Sequence, residues 1–406
     1  MKESLLRDYA RLIASLGGHV VKGDEVWISA GLEQPEFIEM LVEECYKCGA
    51  KNVEVKFFHS PLEKLDLKYM TVGELSKVSP YGLARLKYMS KKLPTRIFID
   101  SDDPDGLKGV DQMKMAKSQS KIYSKTKKYH DLANGKYKWC IAGVPGKAWA
   151  KKVFPHDSLE VAMEKLWKVI LTTSRVDGND PVENWNKHND FLIKQRTKLK
   201  ELDLRKLYYK ASNGTDFEVE LIPGISWGAG VETAPNKGEF NPNIPSEEVF
   251  TSPFAGKCEG TLVASKPLSY NGELIEDFSV TFKAGKVSEV HAKTNQKLLE
   301  QMISMDEGAK MLGEVALVPY SSPISQCGIL FFNTLYDENA ACHVALGMGF
   351  KELLDVNLTT EQAKEKGIND SMIHVDFMVG TKDLDIIGVD ASGKKHQIFK
   401  NGEWAI

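Results

Sequence analysis

Glu25-Val26-Trp27-Ile28-Ser29, the helical run over 35–48 and Asn52-Val53-Glu54-Val55-Lys56-Phe57-Phe58 decide the fold of the first third of the chain. Two short β-branched and apolar runs separated by a helix cannot be joined as a hairpin, so they pair in parallel through a helical crossover. Working outward, a helix over 3–16 precedes this unit, and helical segments over 72–92 and a strand over 95–99 follow it. The run 138–142 reads as a further strand. A helix over 159–174 carries Val161, Leu166, Val169 and Ile170 at apolar positions. The expectation is an open, mostly parallel α/β sheet layered between helices.

The pattern breaks at Arg175-Val176-Asp177-Gly178-Asn179-Asp180-Pro181, a polar, turn-rich stretch. The chain has 406 residues, more than the roughly 250–300 at which a single core stops growing. Two domains are therefore expected: an N-terminal α/β domain over 1–181 and a strand-rich α+β domain over 182–406, which opens with a linking helix over about 182–203. Strands are expected at 215–221, 260–264, 278–282 and 287–292, with tight turns at Tyr270-Asn271-Gly272 and Ala284-Gly285-Lys286. A helix over 298–312 then leads into a strand over 314–319.

With 42% hydrophobic and 27% charged residues and no biased tract, the chain is neither disordered nor fibrous. A net charge of −3 and a pI near 6.4 give no general attraction for nucleic acid. Lys114, Lys117, Lys121, Lys125 and Lys128 form a stripe on one helix face, read as solvated because aromatic stacking partners and glycine-rich phosphate loops are absent. No apolar run approaches the roughly 18 residues of a membrane span. The N-terminus Met1-Lys2-Glu3-Ser4-Leu5-Leu6-Arg7-Asp8 carries charges where a signal peptide has none. Cytoplasmic residence is expected, and six cysteines suit it. Cys45-Tyr46-Lys47-Cys48 lacks a second pair to complete four ligands. Gly49 behind it marks a helix end.

The chemistry is expected in the second half. His374-Val375-Asp376 lies in the strand-like run 373–379, so an imidazole and a carboxylate point the same way. Upstream stand His343, behind Asp337-Glu338-Asn339, then Glu314 and the pair Glu247-Glu248. Singly each has an ordinary explanation, as a helix cap, a structural histidine or an exposed acid. Together, two imidazoles and several carboxylates in apolar segments suggest a metal site without thiolate.

Their order is specific: Asn243-Ile244-Pro245-Ser246-Glu247-Glu248-Val249-Phe250-Thr251, then 312–319, 335–347 and 374–376. With these segments, and with Lys147-Ala148-Trp149-Ala150-Lys151-Lys152-Val153-Phe154-Pro155, Asn213-Gly214-Thr215-Asp216, Glu259-Gly260-Thr261 and Lys266-Pro267-Leu268, the chain resembles the aminopeptidase T/S/II family of dimeric, two-metal aminopeptidases. The resemblance spans nearly the whole chain. It implies metal ligands at Glu248, Glu314, His343, His374 and Asp376, a homodimer, and peptides with a free N-terminus as substrates. It also places a tyrosine where this chain has Phe350, seven residues after His343. Two helical turns would set the two on one face if a helix continued through Gly347 and Gly349.

Five side chains serving two ions require a bridge, for which Glu314 is the first choice, with Glu248 or Glu247 as candidate base. In an extended segment those two glutamates point opposite ways. Zinc is the default cation, and cobalt and manganese also suit nitrogen and oxygen donors. A paired cation site activates water and polarises a scissile carbonyl. The expected function is therefore hydrolysis of the N-terminal peptide bond. The alternatives are a catalytically weak, metal-bound peptide-binding protein, suggested by Phe350, and a binuclear amidohydrolase acting on non-peptide amides.

Overall fold

A computed structural model describes residues 1–355 and 357–406. The chain divides into two compact units: Met1–Asn184 with Val231–Ile244, and Trp185–Gly230 with Pro245–Ile406.

In the first unit, β1 (Glu25–Gly31), β2 (Asn52–Phe58), β3 (Thr95–Asp100) and β4 (Trp139–Gly143) pair in parallel in the order β4-β3-β1-β2. The short strand Asn243–Ile244 lies parallel beside β4. Alternation places Val26, Ile28 and Ala30 of β1 and Ile97 and Ile99 of β3 in the core. The helix Pro35–Lys47 buries Phe37, Ile38, Leu41 and Cys45 along one stripe. It ends as its sequence predicts, because Gly49 adopts φ +101°, a conformation that favours glycine. Cys45 and Cys48 thus mark a helix end, and burial pushes the Cys45 thiol up to about 12. The lysine stripe lies on the helix Gln112–Ala133 and is not wholly solvated. Lys114 Nζ donates to Leu67 O (2.5 Å) and Lys125 Nζ to Ser76 O (2.7 Å). The helix Ser60–Tyr69 escapes the sequence reading because Leu62, Leu65 and Tyr69 face outward and leave no apolar stripe on its inner side.

The second unit holds two sheets. Strands Leu204–Lys210, Asp216–Leu221, Pro253–Val263, Leu268–Tyr270, Glu273–Lys283, Lys286–Thr294, Asp385–Asp390, Lys395–Lys400 and Glu403–Trp404 form a nine-stranded antiparallel sheet. Its core includes Leu207, Phe217, Val219, Leu262, Phe278, Val280, Phe282 and Ile386. Asn271 and Gly272, and Ala284 and Gly285, all have positive φ, as the twist of two-residue hairpin turns requires.

The smaller sheet is antiparallel throughout: β5 (Gly228–Ala229), β6 (Val249–Thr251), β7 (Leu312–Leu317), β8 (His343–Gly347) and β9 (His374–Met378), in the order β9-β8-β7-β6-β5. Two expectations are corrected here. The helix expected over 298–312 spans only Gln296–Ile303, and Leu312 already belongs to β7. The helix implied between His343 and Phe350 does not form, since His343 opens β8 after a helical turn that ends at Ala340. Every residue of β7 and β8 is buried. A strand covered on both faces reads as an unbroken apolar run, which periodicity cannot separate from a buried helix.

Candidate metal centre

Strand register brings the five expected ligands together. Glu314 of β7, Ala345 of β8 and Asp376 of β9 stand directly opposite one another, as do Ala316, His343 and Met378 in the next row of the same face. Phe250 of β6 continues that second row beside Ala316. Period-two alternation then puts His374 on the face of Asp376, and Glu248, two residues before Phe250, on the face of His343. Small residues at 316 and 345 leave the space between strands to the polar side chains.

Two overlapping triads result, each with ligand atoms within 4.8 Å of one another: Glu248, Glu314 and His343, and Glu314, His374 and Asp376. Glu314 belongs to both. His343 Nε2 lies 3.2 Å from Glu248 Oε2. His374 Nε2 lies 3.1 Å from Glu314 Oε2 and 3.5 Å from Asp376 Oδ1. Both imidazoles are oriented from behind. Nδ1 of His343 donates to Ala341 O (3.1 Å) and Nδ1 of His374 to Met348 O (2.7 Å). Carbonyl oxygens only accept, so each Nδ1 carries hydrogen and each Nε2 faces the carboxylates, the usual support of a metal-ligating histidine.

The electrostatics describe a cluster short of positive charge. Burial pushes the Glu314 carboxyl up to about 7 against the pull of His374, with Asp376 adding to the rise. Burial disfavours charge on His343, but the Glu248, Glu314 and Asp376 carboxylates outweigh it and hold the imidazole near 10. His374 is raised in the same way by Asp376 and Glu314. Burial works against ionisation of Asp376, yet His374 and His343 keep it below its ordinary value. Asp376 Oδ1 is nevertheless buried without a hydrogen bond. Buried carboxylates without sufficient counter-charge are costly. A divalent cation with nitrogen and oxygen donors fits this donor set and would relieve it.

A further acid belongs to the cluster and is missing from the sequence reading: Glu338. Burial, followed by the Asp376 and Glu248 carboxylates, raises it well above the ordinary glutamate range, and it hydrogen-bonds Asp376. Its signal in the sequence is its place five residues before His343, in a segment whose Asp337 and Asn339 equally suit helix capping. Asp337 makes no side-chain cap to the turn that follows it; its carboxylate accepts from the upstream Phe331 and Asn333 N–H groups at 2.8 and 3.0 Å.

Glu247, beside Glu248 in sequence, lies against His188 instead, with Oε2 3.7 Å from its Nε2. Cys342 Sγ turns to Val318 O (3.3 Å) and belongs to neither triad; strand alternation, rather than helical divergence, separates it from His343. Phe350 reaches the centre by another route than a helix. Its N–H donates to Ser252 Oγ (2.8 Å), and its ring centroid lies 5.1 Å from that of His374 and 5.3 Å from that of Phe250. Tyr336 is fully buried and stacks on Phe331 at 4.8 Å.

The antiparallel sheet of the second unit, which gathers imidazoles and carboxylates on one face, defines a metallohydrolase-type site. The chain belongs to the thermophilic metalloprotease family M29, which matches residues 2–404. Aminopeptidase 2 of Geobacillus stearothermophilus is 36% identical, covering 99% of this chain and 98% of that protein. Aminopeptidase PepS of Streptococcus thermophilus is 37% identical over 99% of this chain and 98% of its own length. The structure of wild-type AmpT from Thermus thermophilus superposes with a TM-score of 0.90 at 31% identity, covering 100% of both chains.

Proposed function

We propose that the two triads bind a pair of divalent cations, with Glu314 as the shared carboxylate, Glu248 and His343 completing one site and His374 and Asp376 the other. The chain is a metal-dependent aminopeptidase of the M29 family. The observation that carries the two-cation reading is that His–carboxylate triads sharing one glutamate lie on a single sheet face. When bound, the cations supply Lewis acidity and a water of lowered pKa.

The protein's own contribution is placement. Nδ1–H bonds to backbone carbonyls aim both Nε2 lone pairs inward. Glu338, raised by burial and by the Asp376 and Glu248 carboxylates, hydrogen-bonds Asp376 and would add a further carboxylate beside a bound cation. Glu314, engaged in both triads, is least free to move a proton; Glu248, engaged in one, is our candidate base. Glu247 supports it from the side of His188. A free, unprotonated α-amino group of a peptide could serve as a further nitrogen donor at one of the two sites, which would favour exopeptidase action. Zinc is the default cation, cobalt and manganese being alternatives. Cytoplasmic residence and a homodimer are proposed on the family resemblance. Among the described residues no helix is long and apolar enough to cross a membrane. Family membership disfavours the weak peptide-binding and amidohydrolase readings.

Hydrolysis of a panel of aminoacyl-nitroanilides, with and without chelator, tests the proposal. Chelator-sensitive release that needs a free α-amino group is expected. Activity that survives complete metal removal would sink it.

A further inference from the structure

Glu247 and Glu248 are adjacent acids, and only Glu248 enters a triad. What fixes that choice is a pair of buried groups outside the ligand set. Asn339, with no exposure to solvent, accepts from the Glu247 N–H through Oδ1 at 2.7 Å. Through Nδ2 it donates to Leu335 O (3.0 Å) and to Glu338 Oε1 (3.4 Å). One amide therefore ties the loop that carries Glu248 to the turn that carries Glu338. Its own carbonyl oxygen accepts from Ser322 Oγ at 3.2 Å, which anchors the turn.

On the other flank, His188 from the helix Pro181–Glu201 is buried edge-on against Trp185, with ring centroids 5.4 Å apart. Its Nε2 donates to Ser246 O at 2.8 Å and faces Glu247 Oε2 at 3.7 Å. The one peptide group that joins Ser246 to Glu247 is thus gripped at both of its polar atoms, the Ser246 carbonyl oxygen and the Glu247 N–H. With that peptide plane fixed, alternation along the extended segment directs Glu248 inward.

We propose that Asn339 and His188 act as a clamp on Ser246-Glu247 that aims Glu248 into the metal centre and, through Asn339, sets its separation from Glu338. They are positioning residues and touch neither substrate nor cation. Support of this kind governs ligand geometry, and its removal commonly costs 10–100-fold in metal affinity. The inference rests on the two-cation reading above.

The test is titration of the metal-stripped, full-length chain with Co²⁺, followed by calorimetry and visible absorption. The unmodified chain takes up two ions. Asn339→Ala and His188→Ala each weaken uptake by roughly 10–100-fold, whereas His188→Gln, whose amide can still donate to Ser246 O, restores most of it. Val280→Ala, a fully buried site in the nine-stranded sheet, controls for stability. It lowers the Tm without changing Co²⁺ affinity. Wild-type affinity in both alanine variants overturns the clamp, as does an equal loss in Val280→Ala at a matched fall in Tm. If Asn339→Ala does not fold, the His188 pair decides: loss in Ala with recovery in Gln supports the clamp, and no loss in Ala removes it. An unmodified chain that binds no Co²⁺ would instead refute the two-cation reading, and the clamp with it.

Discussion

Phe350 sits with its ring against His374 and Phe250, where the resemblance places a tyrosine. Phenylalanine has no oxygen to offer a developing charge, and a para-hydroxyl at this position would enter the neighbourhood of the second triad. Phe350→Tyr is expected to raise kcat by up to roughly 10²–10³-fold, the worth of a single oxyanion donor, with metal content unchanged. A rate left at the unmodified value would make position 350 packing alone. The second prediction concerns His374, whose Nε2 faces Glu314 and Asp376. His374→Ala should leave one cation per chain by elemental analysis and abolish peptide hydrolysis, because the His343 triad is complete without it. Retention of two cations would show that the second triad is not a binding site.

At the scale of elements, the site depends on how closely β7 approaches β8. A Cβ on Gly313, the residue before Glu314, would come 2.2 Å from Met348 O and 2.4 Å from Gly347 O, distances that the backbone must open to accommodate. The register irregularity between Leu312 and Glu314 lies at the same place. Gly313→Ala is therefore expected to destabilise by about 1–3 kcal/mol, as overpacking does, and to weaken metal binding by shifting Glu314. Thermal unfolding and metal titration of one sample check both; unaltered metal affinity would mean that Glu314 does not follow its strand. This arrangement explains what was legible beforehand. Strand β9 alternates openly, so His374 and Asp376 could be placed on one face from sequence, and the parallel unit announced itself through its strand–helix–strand spacing. The direction of β8 could not be read, because Cys342 to Gly347 are buried throughout and carry no periodic contrast. The resemblance implies His343 as a ligand, whereas periodicity alone reads its strand as a helix. Glu338 and Asn339 were hidden for a related reason: their roles depend on which loops fold beside them, and Glu247 is 92 positions away from Asn339 in sequence.

Across the whole molecule, the unsatisfied charge of the centre couples stability to pH and to metal. Glu314 titrates near 7 in the folded chain against an ordinary 4.5, so the folded state holds its proton more tightly than the unfolded chain. Stability therefore falls as pH rises between those values. His343 titrates near 10 against 6.5; its contribution is complete below 6.5 and is lost as pH rises through 10. Both act in the same direction. The metal-free protein should show a Tm that declines from about pH 5 to about pH 9. Divalent cations take the place of these protons, so they bind more tightly as the protons leave and stabilise by mass action, by about 2.7 kcal/mol per site at a hundredfold excess over Kd. The Tm difference between metal-loaded and metal-stripped protein should accordingly widen as pH is raised across that window. Differential scanning calorimetry of both forms in matched buffers measures it. A difference that stays constant with pH would mean that cations do not displace protons from this cluster, and would move the metal site elsewhere in the chain.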